Sequence, residues 1–166
     1  ESLNNNTGTI ALLSSGGIDG GSGTVLMRAA NYAFGGADRT ITTTGVLTIE
    51  PDADENSFAS SFDNQYLNPV SVTGLTLGKS SNASAITLSR AISLSGPVSI
   101  YGGSIDVNAN ITANSGNILL DADTGSTLNQ SSTGILLDDA ITIETVTSGN
   151  LTLIGRSGDC LLYTSP

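Results

Sequence analysis

A regular spacing of β-branched residues runs through the middle of the chain. An α-helix cannot place residues with this spacing on one face, because its apolar stripe repeats every 3.6 residues. A chain that turns a corner after each short strand can do so, since each member then stacks on the member three places earlier in the series, after about 19–20 residues. The pattern predicts an all-β, three-sided parallel β-solenoid. The members of the series, which recur at intervals of six or seven, are Ile86, Ile92, Val98, Ile105, Ile111 and Ile118.

The predicted strands alternate apolar and polar residues. Two of them are 86–88 (ITL) and 105–107 (IDV). Successive side chains of a strand point to opposite sides, so the outer two residues of each triplet are predicted to face the core and the middle one the solvent. We therefore expect Ile105 to lie inside, stacked between two coils, and Asp106 to lie outside.

The stack is predicted to continue beyond residue 118 with longer coils of nearly constant length. The extra residues are placed at one corner, 121–127, because a solenoid accepts insertions at corners without disturbing the stacked core. The predicted partners are Leu128 on Ile105, Ile135 on Ile111 and Ile141 on Ile118, with Leu151 following Leu128 at the same period.

The N-terminal third has the same kind of repeat. The predicted pairs are Ile10 with Tyr32, Ile18 with Ile41, and Val25 with Leu47. Glycine pairs such as Gly102-Gly103 fall between the predicted strands, where we expect tight corners with a positive φ. The sequence thus predicts a solenoid over 1–155 with coils of about 19–24 residues.

The segment 51–72 lacks this rhythm, and we expect it to be a lateral insertion. Phe58, Phe62 and Tyr66 are four residues apart, so a short helix from about Ser57 would align them on one face. The segment is therefore predicted to be a loop or a short helix. Its aromatic residues would either cover an open stretch of the solenoid or form an exposed contact patch.

The net charge of the chain makes one class of partner, nucleic acid, improbable. The 166 residues carry a formal net charge of −10, which disfavours binding to a phosphate backbone, so no nucleic-acid partner is expected. No apolar run reaches the length of about 18 residues that spans a bilayer, so no membrane insertion is expected. Residue 1 is Glu and no signal peptide follows, which suggests an internal piece of a longer chain. The composition is typical of a secreted, extended β protein.

Residues 156–166 follow neither the strand rhythm nor the composition of the preceding chain. They resemble read-through of adaptor DNA at the end of an environmental gene fragment, with a genuine terminal strand as the other interpretation. The single Cys160 in this non-repeat tail excludes an internal disulfide.

Two segments share a repeat template. They are 103–110 (GSIDVNAN) and 116–123 (GNILLDAD), and 149–153 (GNLTL) is a looser copy. These units resemble the repeats of filamentous-haemagglutinin-like giant surface proteins of bacteria. The resemblance implies a right-handed β-helical stalk at the outer cell surface or outside the cell. Its implied partners are neighbouring repeats of the same chain and surface glycans or host cell surfaces.

The chain has little equipment for catalysis. It lacks His, which nucleophilic triads and most metal sites use, so carboxylates are the only reactive groups in quantity. Glycosidases need a carboxylate pair about 5 to 10 Å apart, which Asp121 with Asp123, or Asp138 with Asp139, would supply. Basic residues are scattered and Trp is absent, so we predict no catalytic residue and a non-enzymatic structural segment. The alternative is a carbohydrate-active or carbohydrate-binding β-helix that uses corner carboxylates and the 51–72 loop.

Two acidic turns are weak candidates for calcium. Asp121 with Asp123, and Asp52 with Asp54, space carboxylates two residues apart around a predicted corner, and hard cations prefer such oxygen ligands. Neither turn has the bidentate Glu that ends an EF-hand loop. A solvated acidic turn is the competing interpretation, and no other cofactor is expected.

Overall fold

The chain folds into short strands that follow one another in groups of three. The computed structural model describes residues 8–12, 17–34, 39–52, 56–122 and 134–155. We number the six groups as coils 1 to 6. Their strands are β1 Thr9–Leu12, β2 Ile18–Asp19 and β3 Val25–Arg28 (coil 1); β4 Asn31–Phe34, β5 Arg39–Thr42 and β6 Val46–Glu50 (coil 2); β7 Phe62–Asp63, β8 Leu67–Val70 and β9 Gly74–Leu77 (coil 3); β10 Ala85–Leu88, β11 Ile92–Leu94 and β12 Val98–Tyr101 (coil 4); β13 Ser104–Val107, β14 Ile111–Ser115 and β15 Ile118–Asp121 (coil 5); β16 Ile135–Leu137, β17 Ile143–Ser148 and β18 Leu151–Ile154 (coil 6).

Each strand pairs with the strand three places later, except at two interruptions, and every pair is parallel. The strands therefore form three lines, which start at β1, β2 and β3. Line 3 is one unbroken six-stranded sheet, β3-β6-β9-β12-β15-β18. Line 1 is divided between β4 and β7, and line 2 between β8 and β11, so both interruptions flank coil 3. The predicted all-β parallel solenoid is confirmed, whereas its three-sided cross-section and its right-handed winding stay predictions.

The predicted register is confirmed in coils 4 and 5 and in coils 1 and 2. The observed pairs are Ile86 with Ile105, Ile92 with Ile111, Val98 with Ile118, Ile10 with Tyr32, Ile18 with Ile41, and Val25 with Leu47. The inside–outside alternation also agrees with the sequence pattern. Ile105 and Val107 are completely buried, while Asp106 between them is partly exposed.

The predicted register of coil 6 is wrong. Leu128 and Asp123 lie outside the described residues, and Ile105 pairs with Ile135 instead of Leu128. The remaining pairs are Ile111 with Ile143 and Ile118 with Leu151, so the step from coil 5 to coil 6 is much longer than the step from coil 4 to coil 5. The error comes from the assumption of a nearly constant coil length. A longer corner costs little free energy, so corners can differ in length from coil to coil. The sequence of the inner positions therefore does not reveal how long a corner is.

The predicted lateral insertion at 51–72 is wrong for the described part of this segment, because its strands β7 and β8 belong to the stack. Phe62 pairs with Ile86 on line 1, and Pro69 pairs with Ile41 on line 2. The described residues contain no helix, so the predicted helix from Ser57 is also wrong. Pro69 has no N–H to donate, which favours a position at the edge of a sheet. Its strand, β8, is the last of its sheet, and line 2 is interrupted there.

Gly103 shows why a corner glycine is needed without a positive φ. A Cβ at this position would lie 2.0 Å from the carbonyl oxygen of Ala83, in the preceding coil. The two coils therefore approach each other too closely for any side chain. The predicted glycine is required here by the contact between coils.

Ala140 is strained in the corner between β16 and β17. Its φ is 61°, in the left-handed region that costs a residue with a Cβ about 1–2 kcal/mol. We expect Ala140→Gly to raise the free energy of unfolding by about 0.5–1 kcal/mol, measured by denaturant titration.

The matched control for this change is Ala91→Gly, at an exposed corner residue without a positive φ. This substitution should lower stability by up to about 1 kcal/mol, because glycine loses more backbone entropy on folding. If both substitutions changed the free energy of unfolding in the same direction, the inferred strain at Ala140 would be contradicted.

Candidate functional surfaces

Four aromatic side chains form one cluster near the interruption of line 1. The aromatic cluster consists of Tyr32, Phe34, Phe58 and Phe62. Phe58 and Phe62 stack with ring centroids 5.5 Å apart and an interplanar angle of 26°. Tyr32 presents an edge to both, with centroids 5.7 Å away. The cluster therefore packs as the interior of a protein does, by edge and offset contacts.

The aromatic cluster covers the core where β4 and β7 do not pair. Phe58 and Phe62 are each only 4% exposed, so they do not form an exposed contact patch. Tyr66 is half-buried and packs against the same hydrophobic core. This placement agrees with the covering interpretation of segment 51–72. Sequence reasoning missed Tyr32 and Phe34, although the repeat that pairs Ile10 with Tyr32 already placed Tyr32 at an inner position.

The Tyr32 hydroxyl connects coils 1 and 2. Its oxygen lies 2.9 Å from the carbonyl oxygen of Met27 and 2.8 Å from that of Glu50, and its proton is donated to either. Burial raises the pKa of Tyr32 well above its usual value. The phenol therefore stays protonated and acts as a donor to the backbone.

A small depression opens beside the aromatic cluster. Its rim is polar and includes Asn31, Ser60, Ser61 and Asp63. Among the described residues that line it, Asp63 is the only carboxylate and none is basic. Among its described lining residues, the depression therefore offers no second carboxylate for sugar hydrolysis.

Two buried asparagines join the coils around coil 3. The Asn64 amide donates to the carbonyl of Arg90 at 3.0 Å and accepts from the Arg90 N–H at 2.9 Å. Asn82 donates to the carbonyl of Tyr101 at 2.8 Å and accepts from the N–H of Phe58 at 3.2 Å. These side chains replace backbone hydrogen bonds near the interrupted lines. The sequence pattern did not reveal them, because an asparagine at a corner is usually solvated.

The acidic turns lie partly outside the described residues. Asp54 and Asp123 are not among them, so neither predicted calcium pair has a geometry to report. Asp138 and Asp139 lie together in the exposed corner after β16, where the Asp138 carboxylate accepts from the N–H of Asp139 at 2.8 Å. Within the described ranges no three metal-ligating side chains lie close enough to hold an ion.

No family model matches the sequence, and no curated protein or solved structure shows significant similarity to it. In the part of the chain that the structure describes, no helix is long and apolar enough to cross a membrane.

Proposed function

We propose that this chain is a structural segment of a stalk at a bacterial cell surface, of the filamentous-haemagglutinin-like type. The observation that supports the proposal is the location of the aromatic residues in segment 51–72. A carbohydrate-active β-helix would present them in a groove beside paired carboxylates. Here Phe58 and Phe62 belong to the same hydrophobic core as the aliphatic stack.

The mechanism of such a segment is mechanical. Its inter-coil hydrogen bonds join coil to coil, and line 3 continues through all six coils. The inner side chains form one core that runs from Val25 to Ala122 and excludes water from the stack. A surface stalk needs this kind of repeated, self-supporting contact, with its partners being neighbouring repeats of the same chain. Adhesion to glycans or host cells would be carried elsewhere in the assembly.

We expect the protein to release no reducing ends from acidic or neutral polysaccharides, with or without calcium. The physical reason is that glycoside hydrolysis needs a positioned pair of carboxylates beside aromatic side chains that hold the sugar, whereas this chain has no Trp and its Phe58 and Phe62 are buried. Product detection over a glycan panel, with a parallel calcium titration of thermal stability, measures both properties. Calcium that binds the folded chain would raise the melting temperature by linkage.

The variants Asp121→Asn and Asp138→Asn distinguish a structural stalk from an enzyme. Product release that is lost in either variant would contradict the proposal and favour carbohydrate chemistry at a corner. Tight binding of one glycan, without turnover, would instead favour a carbohydrate-binding module.

A further inference from the structure

The exposed large apolar side chains are concentrated at one end of the solenoid. Seven such side chains are exposed among the described residues, and six of them belong to coil 6. The seventh is Leu26 in coil 1, at 52% exposure. The six in coil 6 are Leu136, Leu137, Val146, Leu151, Leu153 and Ile154. Clustered exposure of this kind marks a contact surface.

Three of these side chains occupy positions that are inner positions one coil earlier. Leu151 and Leu153 pair with Ile118 and Leu120, both of which are completely buried. The exposed fractions of Leu151 and Leu153 are 46% and 45%. Leu137 shows the same contrast with its buried partner, Val107. The core of coil 6 is thus covered by coil 5 on one side and open on the other.

The opposite end of the solenoid is different. Val25 and Met27 hold the equivalent positions in β3, and they are only 9% and 4% exposed. On line 3 the two ends of the described solenoid are therefore unlike, because the inner residues of β3 are buried and those of β18 are exposed.

We propose that the edge of coil 6 is a docking surface for one further parallel β-coil whose inner positions carry Ile, Leu or Val. Among the described strands, β16, β17 and β18 are each the last of their sheet. The edge continues an interface that already joins coils 4, 5 and 6 through all three lines. Only a partner with three parallel strands satisfies the three edges together, whereas a single extended peptide would leave two of them open.

The charges of coil 6 indicate which residue types the partner coil should carry at its outward positions. Asp138, Asp139 and Glu144 make the described part of coil 6 acidic. On the covered side, the Glu144 carboxylate accepts a hydrogen bond from the Thr112 hydroxyl at 3.4 Å. A hydroxyl or basic residue is therefore expected opposite Glu144 in the added coil, and an acidic residue is disfavoured by repulsion. This inference rests on the proposed stalk for its biological meaning and on the strand stacking for its geometry.

The experiment adds a coil to the full chain. A second copy of residues 103–122 is inserted between Gly155 and Arg156. Because Ile154 pairs with Asp121, and Asp121 with Tyr101, Gly155 stands in line with Gly102. The inserted Gly103 then follows it as it follows Gly102 in the native chain. Hydrogen exchange of the β18 amides is expected to slow at least about tenfold.

Two matched inserts test the chemistry of the contact. In one, the copied inner residues carry Ile105→Asp, Ile111→Asp and Ile118→Asp. In the other, the copied outward residues carry Asp106→Ser, Thr112→Ser and Leu119→Ser. The outward variant should retain the slow exchange of β18, and the inner variant should lose it.

Exchange in β10 to β15 shows in each protein that the host solenoid is folded. Unchanged exchange of β18 in a folded host with the unmodified insert would overturn the proposal, as would equal protection by the Asp-containing insert. Protection of β18 in the unaltered chain that disappears on dilution would show that a second copy holds the edge, and would also overturn it. None of these outcomes depends on the glycan assay, so the stalk and the docking surface fail separately.

Discussion

Ile105→Ala should lower the free energy of unfolding by about 2–5 kcal/mol. Ile105 is completely buried and stacks between Ile86 and Ile135. Truncation would leave a cavity between three coils that the parallel ladders prevent from closing. The measurement is a denaturant titration followed by far-UV circular dichroism.

The control for this prediction is the neighbouring residue of the same strand. Asp106→Ala removes an outward side chain and should cost less than about 0.5 kcal/mol. Equal losses from the two substitutions would mean that the inner and outer positions of β13 are assigned wrongly.

The second large effect is expected from Asn82→Ala, at about 2–4 kcal/mol. Asn82 is completely buried, and its amide contacts the backbone of Phe58, Ser84 and Tyr101. Removing it leaves several polar groups of two coils without this partner, and each buried group that stays unpaired costs about 1–3 kcal/mol. Thermal unfolding of the variant gives the loss directly.

Asn108→Ala is the matched substitution, because Asn108 is an exposed corner residue. Its side chain should contribute less than about 0.5 kcal/mol. If both variants kept the stability of the parent chain, the bridging role of Asn82 would be refuted.

The stacked positions of coils 4 and 5 could be predicted because the core accepts only a narrow set of residues there. Ile86 and Ile105 are inner positions of two successive coils, and burial demands an apolar side chain at each. Corner length carries no such constraint. Leu128, Ile135 and Ile141 were therefore equally acceptable candidates for the next coil, and a constant period selected the wrong register.

Coil 3 was missed for a different physical reason. Its inner positions are filled by Phe62 and Leu67 in place of β-branched residues, and Pro69 lies within one of its strands. The spacing of four between Phe58, Phe62 and Tyr66 resembled a helix. In the structure, Phe58 precedes β7, Phe62 lies in it and Tyr66 lies in the following turn. Because the three residues lie in a loop, a strand and a turn, their regular spacing does not reflect a helix.

We expect the interruptions at coil 3 to make it the most easily deformed part of the described solenoid. Coils 1 and 2 are joined by three ladders, as are coils 4, 5 and 6, but each contact of coil 3 has only two. Line 3 is unbroken, so we expect bending to open the stack first on the side that carries lines 1 and 2. Under tension, we expect coils 1–2 and coils 4–6 to separate from each other at coil 3 before the strands within either block separate. The contacts of Asn64, Asn82 and the aromatic cluster would then resist the separation in place of the missing ladders.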